Sequence, residues 1–301
     1  MKRNTSLQFR IALIALSFVL WVGTASAQNS LDAQRGTGPV RTESKMLYHD
    51  GPVLANIQNV YFIFYGCWTD ACRSGNTTAV QILNDYGATI GNSDYMGINN
   101  TYTDKFGHSA TKTIFFGGEV FDGSYSHGFD LTKSDIEAII ADQILNRLLP
   151  QDSQGIYVVF AADNIAATSV GFCVEGAPPF HSSNIIAGGQ LPYIFIGHPS
   201  RCPAIAGPQF GNQPTPNDNF AGDAMVTTLT HALNGVLTNP FGNGWYDRYG
   251  LENADKCTGN FGTTYTAPNG ARANLRLHQR DYLVEQNWVN NRKGSCIQFP
   301  Y

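Results

Sequence analysis

Two stretches of the chain are apolar on both faces of an extended strand. In Asn56 to Tyr65 (NIQNVYFIFY), Ile57, Tyr61, Ile63 and Tyr65 fall on one face, and Val60, Phe62 and Phe64 on the other. Gly155 to Ala161 (GIYVVFA) has the same character. Such strands belong in the middle of a sheet covered on both sides. Thr111 to Phe116 (TKTIFF) reads as a further strand, stopped by Gly117-Gly118, and Leu191 to Ile196 as another. The period lengthens between them. Asn76 to Tyr86 fits a short helix. Thr132 to Leu149 fits a longer one, with Ile136, Ile139, Ile140 and Ile144 as its buried stripe and Pro150 as its stop. Thr132 and Asp135 have the spacing of a capping box. Ala221 to Leu237, closed by Asn239-Pro240, predicts the last helix, and a further element is expected near Arg280–Trp288.

The order strand, helix, strand, helix, strand, strand, helix predicts an α/β fold, a mixed β-sheet with packed helices. Beyond it the chain is rich in Gly, Asn and aromatics, which predicts an irregular, disulfide-bonded C-terminal part. Residues 203–220 read as one long loop, of a length that is often functional or mobile.

The first 27 residues have a different pattern. Lys2, Arg3 and Arg10 precede an uncharged run from Ile11 to Gly23, which ends in Thr24-Ala25-Ser26-Ala27. This is the layout of a cleavable secretory signal. The run is too short to cross a hydrocarbon core of ~30 Å, which needs about 20 residues. The expected organisation is a signal peptide over 1–27, a polar lead-in over 28–46 and one domain over 47–301. The mature chain would start at Gln28 and be secreted: extracellular, in a cell wall, or periplasmic.

The whole chain carries 19 Lys and Arg against 23 Asp and Glu; cleavage would remove three cations and no acid, leaving a net charge of −7. An acidic chain without a Lys/Arg cluster excludes nucleic acid as a partner, because phosphate binding needs concentrated positive charge. No later segment has the length and apolarity to span a membrane.

Export also suits the cysteines. All six (Cys67, Cys72, Cys173, Cys202, Cys257 and Cys296) lie in the mature part, and an even count in an oxidising compartment reads as disulfides. Sequence alone admits many connectivities. Pairing nearest neighbours, Cys67–Cys72, Cys173–Cys202 and Cys257–Cys296, closes the shortest loops and is the expected arrangement.

Several segments in order then resemble one family. Tyr48-His49-Asp50-Gly51-Pro52-Val53, followed by Val60-Tyr61-Phe62-Ile63-Phe64-Tyr65-Gly66-Cys67-Trp68, resembles the opening of the phosphate-induced, EXORDIUM-like proteins, usually YHGGPV and NVYxIWYGxW. The likeness continues through Ser126-His127-Gly128, Gly171-Phe172-Cys173 and Gly197-His198-Pro199-Ser200-Arg201-Cys202-Pro203. It also takes in the helix with His231, Thr238-Asn239-Pro240 and Asn243-Gly244-Trp245-Tyr246-Asp247. It ends with Glu252-Asn253-Ala254-Asp255-Lys256-Cys257 and Asp281-Tyr282-Leu283-Val284-Glu285-Gln286-Asn287-Trp288. The resemblance implies a secreted protein, associated in plants with the cell wall, and carries over no established reaction.

It does imply one chemical idea. Related helices often read His-Glu-x-x-Glu before the Thr-Asn-Pro stop, which sets two ligands one turn apart with a general base beside them, as in zinc peptidases. That implies a zincin-like core. Here the helix reads His231-Ala232-Leu233-Asn234-Gly235, so both carboxylates are missing. Met225, Leu229, Leu233 and Leu237 form the apolar stripe, and His231 lies about 200° from Leu229, beside Thr227, Asn234 and Gly235. One reading makes His231 a hydrogen-bonded histidine on a packed or exposed helix face. The other makes it part of a remnant metal site with Glu252 and Asp255, with His181 as a further candidate ligand. Glu252 and Asp255 also fit as loop acids that cap turns.

No nucleophile elbow, phosphate loop or dinucleotide fingerprint is present. Trp68, Trp245 and Trp288 fit either core anchors or platforms for sugar rings. Asn76-Thr77-Thr78 and Asn99-Asn100-Thr101 are glycosylation sequons, meaningful only in a eukaryotic source. The expectation is a non-enzymatic extracellular or wall-associated binding protein, with no cofactor and an unidentified ligand such as a polysaccharide. The alternative is a metal-dependent hydrolase, with zinc, on an atypical ligand set.

Overall fold

A computed structural model describes residues 45–300. The expected signal peptide and nearly all of the expected lead-in lie outside the described residues. The last residue of that lead-in is already ordered structure: Met46 starts β1 (Met46–Tyr48). The elements that follow are β2 (Gln58–Tyr65), α1 (Asn76–Thr89), β3 (Ile114–Asp122), α2 (Lys133–Leu145), β4 (Gly155–Ala161), β5 (Phe180–Ile186), β6 (Gly189–Ile196), the single-turn α3 (Pro203–Ala206), α4 (Phe220–Thr238) and β7 (Trp245–Asp247).

Five strands form the main sheet in the order β3-β2-β4-β6-β5. All neighbours are parallel except β5, which runs antiparallel to β6. The two doubly apolar strands, β2 and β4, pair with each other near the middle, where both faces are covered. Phe62, Phe64 and Phe160 pack on one face, with α1 and α4 above them; the Gly87 position of α1 lies directly over the Phe62 ring. On the other face α2 lies over Tyr65, Asp122 and Tyr193: Gln143 donates to Asp122, and Tyr193 donates to Glu137. The mixed α/β architecture is therefore present.

Two glycines expected to stop a strand do not. β3 runs through Gly117-Gly118 to Asp122 and shifts register between Val60 and Tyr61 of its neighbour. Gly118 adopts φ +136°, and a Cβ at Gly117 would stand 2.4 Å from the Tyr61 ring. Glycine is used here to carry a bulge beneath an aromatic side chain. The capping box at Thr132 and Asp135 forms, but α2 stops at Leu145 rather than reaching Leu149. The expected loop 203–220 contains α3 and ends on Asn219, whose side chain caps α4.

The strand of the main sheet missing from the sequence reading is β5. Its alternation is weak (FHSSNII), because it is the edge strand: most of its positions are half-buried on both faces, and Asn184 and Ile185, on opposite faces, are exposed. The register nevertheless fixes its role. Phe62 pairs with Val158, Val158 with Ile194, and Ile194 with His181. Laterally paired residues point to the same side of a sheet, so this row places His181 on the face that α4 covers.

After β7 the chain makes short hairpins, Tyr265–Thr266 with Arg272–Ala273, Leu275–Leu277 with Arg280–Tyr282, and Asn287–Val289 with Ser295–Ile297. The three disulfides are Cys67–Cys72, Cys173–Cys202 and Cys257–Cys296, the nearest-neighbour pairing. A zincin-like core gains no support. Among the described residues no group of three or more His, Cys, Asp or Glu is arranged to hold a metal ion.

Candidate functional site

α4 is buried on nearly every side. Its apolar stripe of Met225, Leu229, Leu233 and Leu237 joins the main core. Its polar side, expected to be packed or exposed, is packed: the C-terminal part lies over it. Thr227 donates to the carbonyl of Leu283 at 2.7 Å. Tyr86 of α1 hydrogen-bonds Thr230. These contacts hold the helix between two layers and leave His231 enclosed.

His231 uses both ring nitrogens on carboxylates. Nε2 is 3.0 Å from Asp255 Oδ1 and Nδ1 is 2.8 Å from Glu285 Oε2. Carboxylates accept only, so both nitrogens donate and the ring is an imidazolium. Burial pushes its pKa down; the hydrogen bonds and charges of Asp255 and Glu285 outweigh this and push it up to about 10.

Asp255 and Glu252 sit on a turn that ends at Cys257. Asp255 Oδ2 accepts from the Glu252 backbone N–H at 2.9 Å, so this acid caps its own turn while facing His231. Glu252 reaches elsewhere. Its Oε2 lies 2.6 Å from His181 Nε2, and its Oε1 accepts from Asn239 at 2.6 Å. The Cys257–Cys296 bridge pins the turn, and Lys256 is fully buried between Asp247 and the Trp288 ring. The residues singled out from sequence, His231, Glu252, Asp255 and His181, thus lie along one side of α4, as two hydrogen-bonded pairs linked through the 252–255 turn.

Gly235, one turn beyond His231, faces the second pair. A Cβ there would stand 2.4 Å from Glu252 Oε2 and 2.7 Å from His181 Nε2. The space that a side chain at 235 would use is filled by the His181–Glu252 pair.

Sequence reasoning missed two parts of this region. Glu285 follows the last strand of a small hairpin, and the segment around it carried a family likeness and an expected element, with no sign of a partner for His231. The second part is a set of four fully buried asparagines. Asn99 donates to Asn234 Oδ1 and accepts from Asn253 and Asn287; Asn234 donates to the Tyr95 hydroxyl. Scattered asparagines have no period, so nothing in the sequence signals a network. It disposes of one sequon, since the Asn99 side chain is buried and bonded; Asn76 is likewise buried, donating to the Cys67 carbonyl. The tryptophans are anchors: Trp68 donates to Tyr65 O, Trp245 to Thr103 O, and Trp288 covers Lys256.

The arrangement can hold charge and fix geometry. Ala232 offers no general base, Gly235 offers no ligand, and an imidazolium has no lone pair for a metal. The residues present do not fit the zinc chemistry that the helix pattern suggested.

A family model described as "Phosphate-induced protein 1 conserved region" matches residues 46–293. The chain is similar to Protein EXORDIUM-like 3 of Arabidopsis thaliana, 30% identical over 81% of this chain and 80% of that protein. It is also similar to Protein PHOSPHATE-INDUCED 1 of Nicotiana tabacum, 28% identical over 72% of this chain and 73% of that protein. Protein EXORDIUM of Arabidopsis thaliana is 25% identical over 82% of this chain and 84% of that protein. No solved structure matches.

Proposed function

The chain belongs to the phosphate-induced protein 1 family, and from that premise we propose that it acts outside the cytoplasm as a non-catalytic binding protein. The observation that carries this reading is His231, the surviving residue of the helix pattern, held by Asp255 and Glu285 on its two ring nitrogens. A catalytic zinc needs about three protein ligands and a base nearby. This helix supplies a histidine committed as an imidazolium, an alanine and a glycine. With Asp255 and Glu285 the histidine forms a strut that ties α4 to the C-terminal part.

Three disulfides favour an oxidising compartment. No helix among the described residues is long and apolar enough to cross a membrane. The disulfides agree with secretion, to an extracellular space or a cell wall, where the proposed ligand would be an extracellular one such as a polysaccharide.

Purified chain exposed to zinc, desalted and analysed by plasma mass spectrometry tests the reading, alongside peptide and ester hydrolysis. Substoichiometric zinc and no hydrolysis are expected. One retained zinc per chain, with hydrolysis that a chelator abolishes, would overturn the reading in favour of a metal-dependent hydrolase.

A further inference from the structure

Winding of the main sheet reverses direction between β2 and β4. From β2 the chain crosses to β3 on one side, and from β4 it passes to the β5–β6 hairpin on the other. In open α/β sheets, ligands settle beyond the carboxyl ends of the strands at such a reversal, where the loops diverge. Three loops meet at that end here: 66–75 after β2, 162–179 after β4 and 197–202 after β6. The Cys67–Cys72 bridge closes the first, and Cys173–Cys202 ties the second to the third.

Asp163, two residues past β4, is the hub. Its carboxylate accepts from Arg73 Nη1 at 3.0 Å, and its carbonyl accepts from Arg201 Nη1 at 3.1 Å. Two guanidiniums from loops after different strands therefore converge on one residue, and both arginines are exposed. A guanidinium has five N–H donors in a planar fork, so both keep donors beyond these contacts.

His198 lies beside them, fully buried against Trp68. Its Nδ1 accepts from Ser200 N–H at 3.3 Å. The proton of the neutral ring is therefore on Nε2, and Nε2 has no hydrogen-bond partner among the described residues. Arg73 and Asp163 are close enough to bias its charge. A buried donor without an acceptor is costly. Asp70 is turned away, accepting from Thr77 N–H at the start of α1. The three loops carry two arginines and three acids, of which Asp163 and Asp70 are engaged as acceptors and Glu175 is exposed.

We propose that this end of the sheet binds an oxyanion, the carboxylate or phosphate group of an extracellular ligand, with Arg73 and Arg201 as its fork donors and His198 Nε2–H as the innermost donor, met directly or through water. Asp163 is a positioning residue that aims both guanidiniums. The site lies apart from α4 and deepens the binding reading by naming the chemistry of its ligand.

Isothermal titration of the full chain at constant ionic strength tests it with three probes: inorganic phosphate, trigalacturonate and the neutral trisaccharide maltotriose. Binding of phosphate alone assigns the site to a free anion, and binding of trigalacturonate alone assigns it to an acidic polymer; either supports the proposal. Arg73→Gln and Arg201→Gln should each weaken the bound probe about tenfold or more, the loss expected of one charge-assisted contact. Arg201→Gln removes only a bond to a carbonyl, so its unfolding temperature should match that of the parent. The proposal is overturned if neither anion binds below about 10 mM, if both variants bind like the parent, or if maltotriose binds as well as trigalacturonate. None of these results touches the zinc and hydrolysis measurements, so this proposal and the non-catalytic reading can fail separately.

Discussion

A methyl group at Gly235 would lie 2.4 Å from the Oε2 atom of Glu252, whose other oxygen is bonded to Asn239. Replacing a glycine inside a helix by alanine ordinarily gains roughly 0.5–1 kcal/mol. Here the gain must be set against the displacement of a buried pair. Glu252 cannot withdraw without loosening both His181 and Asn239, and overpacking of this kind costs about 1–3 kcal/mol. Gly235→Ala is therefore expected to lower stability by about 1–2 kcal/mol in urea unfolding. A stabilised variant would mean that the His181–Glu252 pair does not occupy this space.

The His231 imidazolium makes stability depend on alkaline pH. Its folded pKa is raised to about 10, above an unfolded value of about 6.5. Its contribution is then complete below about pH 6.5 and is lost as pH rises through about 10. The loss is on the order of a few kcal/mol. Denaturation midpoints measured from pH 6 to pH 10 should fall for the parent. His231→Gln should start lower and lose that slope. Parallel curves for the two chains would contradict the assignment.

His198 acts at the opposite limb. Burial, followed by the Arg73 charge, pushes its pKa down to about 4. A histidine kept neutral in the fold but protonated when unfolded stabilises fully above about pH 6.5, and that stability is lost as pH falls toward 4. His198→Gln should flatten the midpoint curve between pH 6.5 and 4 relative to the parent. An unchanged acid slope would show that the ring is already charged in the fold.

Much of the sheet could be read from sequence because β2 and β4 are apolar on both faces, and because the capping box that starts α2 and the Asn-Pro stop of α4 act locally. The edge strand β5 could not, since most of its positions are half-buried on both faces and its register is set by pairing with β6. Gly117-Gly118 misled because a glycine pair reads as a stop unless the Tyr61 ring above it is known. At α4, the loss of the carboxylates at 232 and 235 was plain in the sequence, whereas Glu285 and the four buried asparagines were not. They come together only when the C-terminal part folds over the helix.

The bridges should differ in weight. By loop-closure entropy, removing Cys257–Cys296, whose partners are 39 residues apart, costs about 4 kcal/mol, and removing Cys67–Cys72, 5 apart, costs about 2 kcal/mol. Paired alanine variants compared by urea unfolding check this. The first should also loosen the turn bearing Glu252 and Asp255, seen as faster amide exchange there. Equal losses from both removals would show that the long bridge does not brace the C-terminal part.

The state of His231 is measured most directly by nitrogen NMR of the imidazole ring, from pH 5 to pH 9, with and without one equivalent of zinc. Protons on both Nδ1 and Nε2 are expected through pH 8, with no change when zinc is added. A ring nitrogen that loses its proton near pH 6.5, or that shifts in proportion to added zinc, would contradict the account of this helix as a strut and return it to metal chemistry.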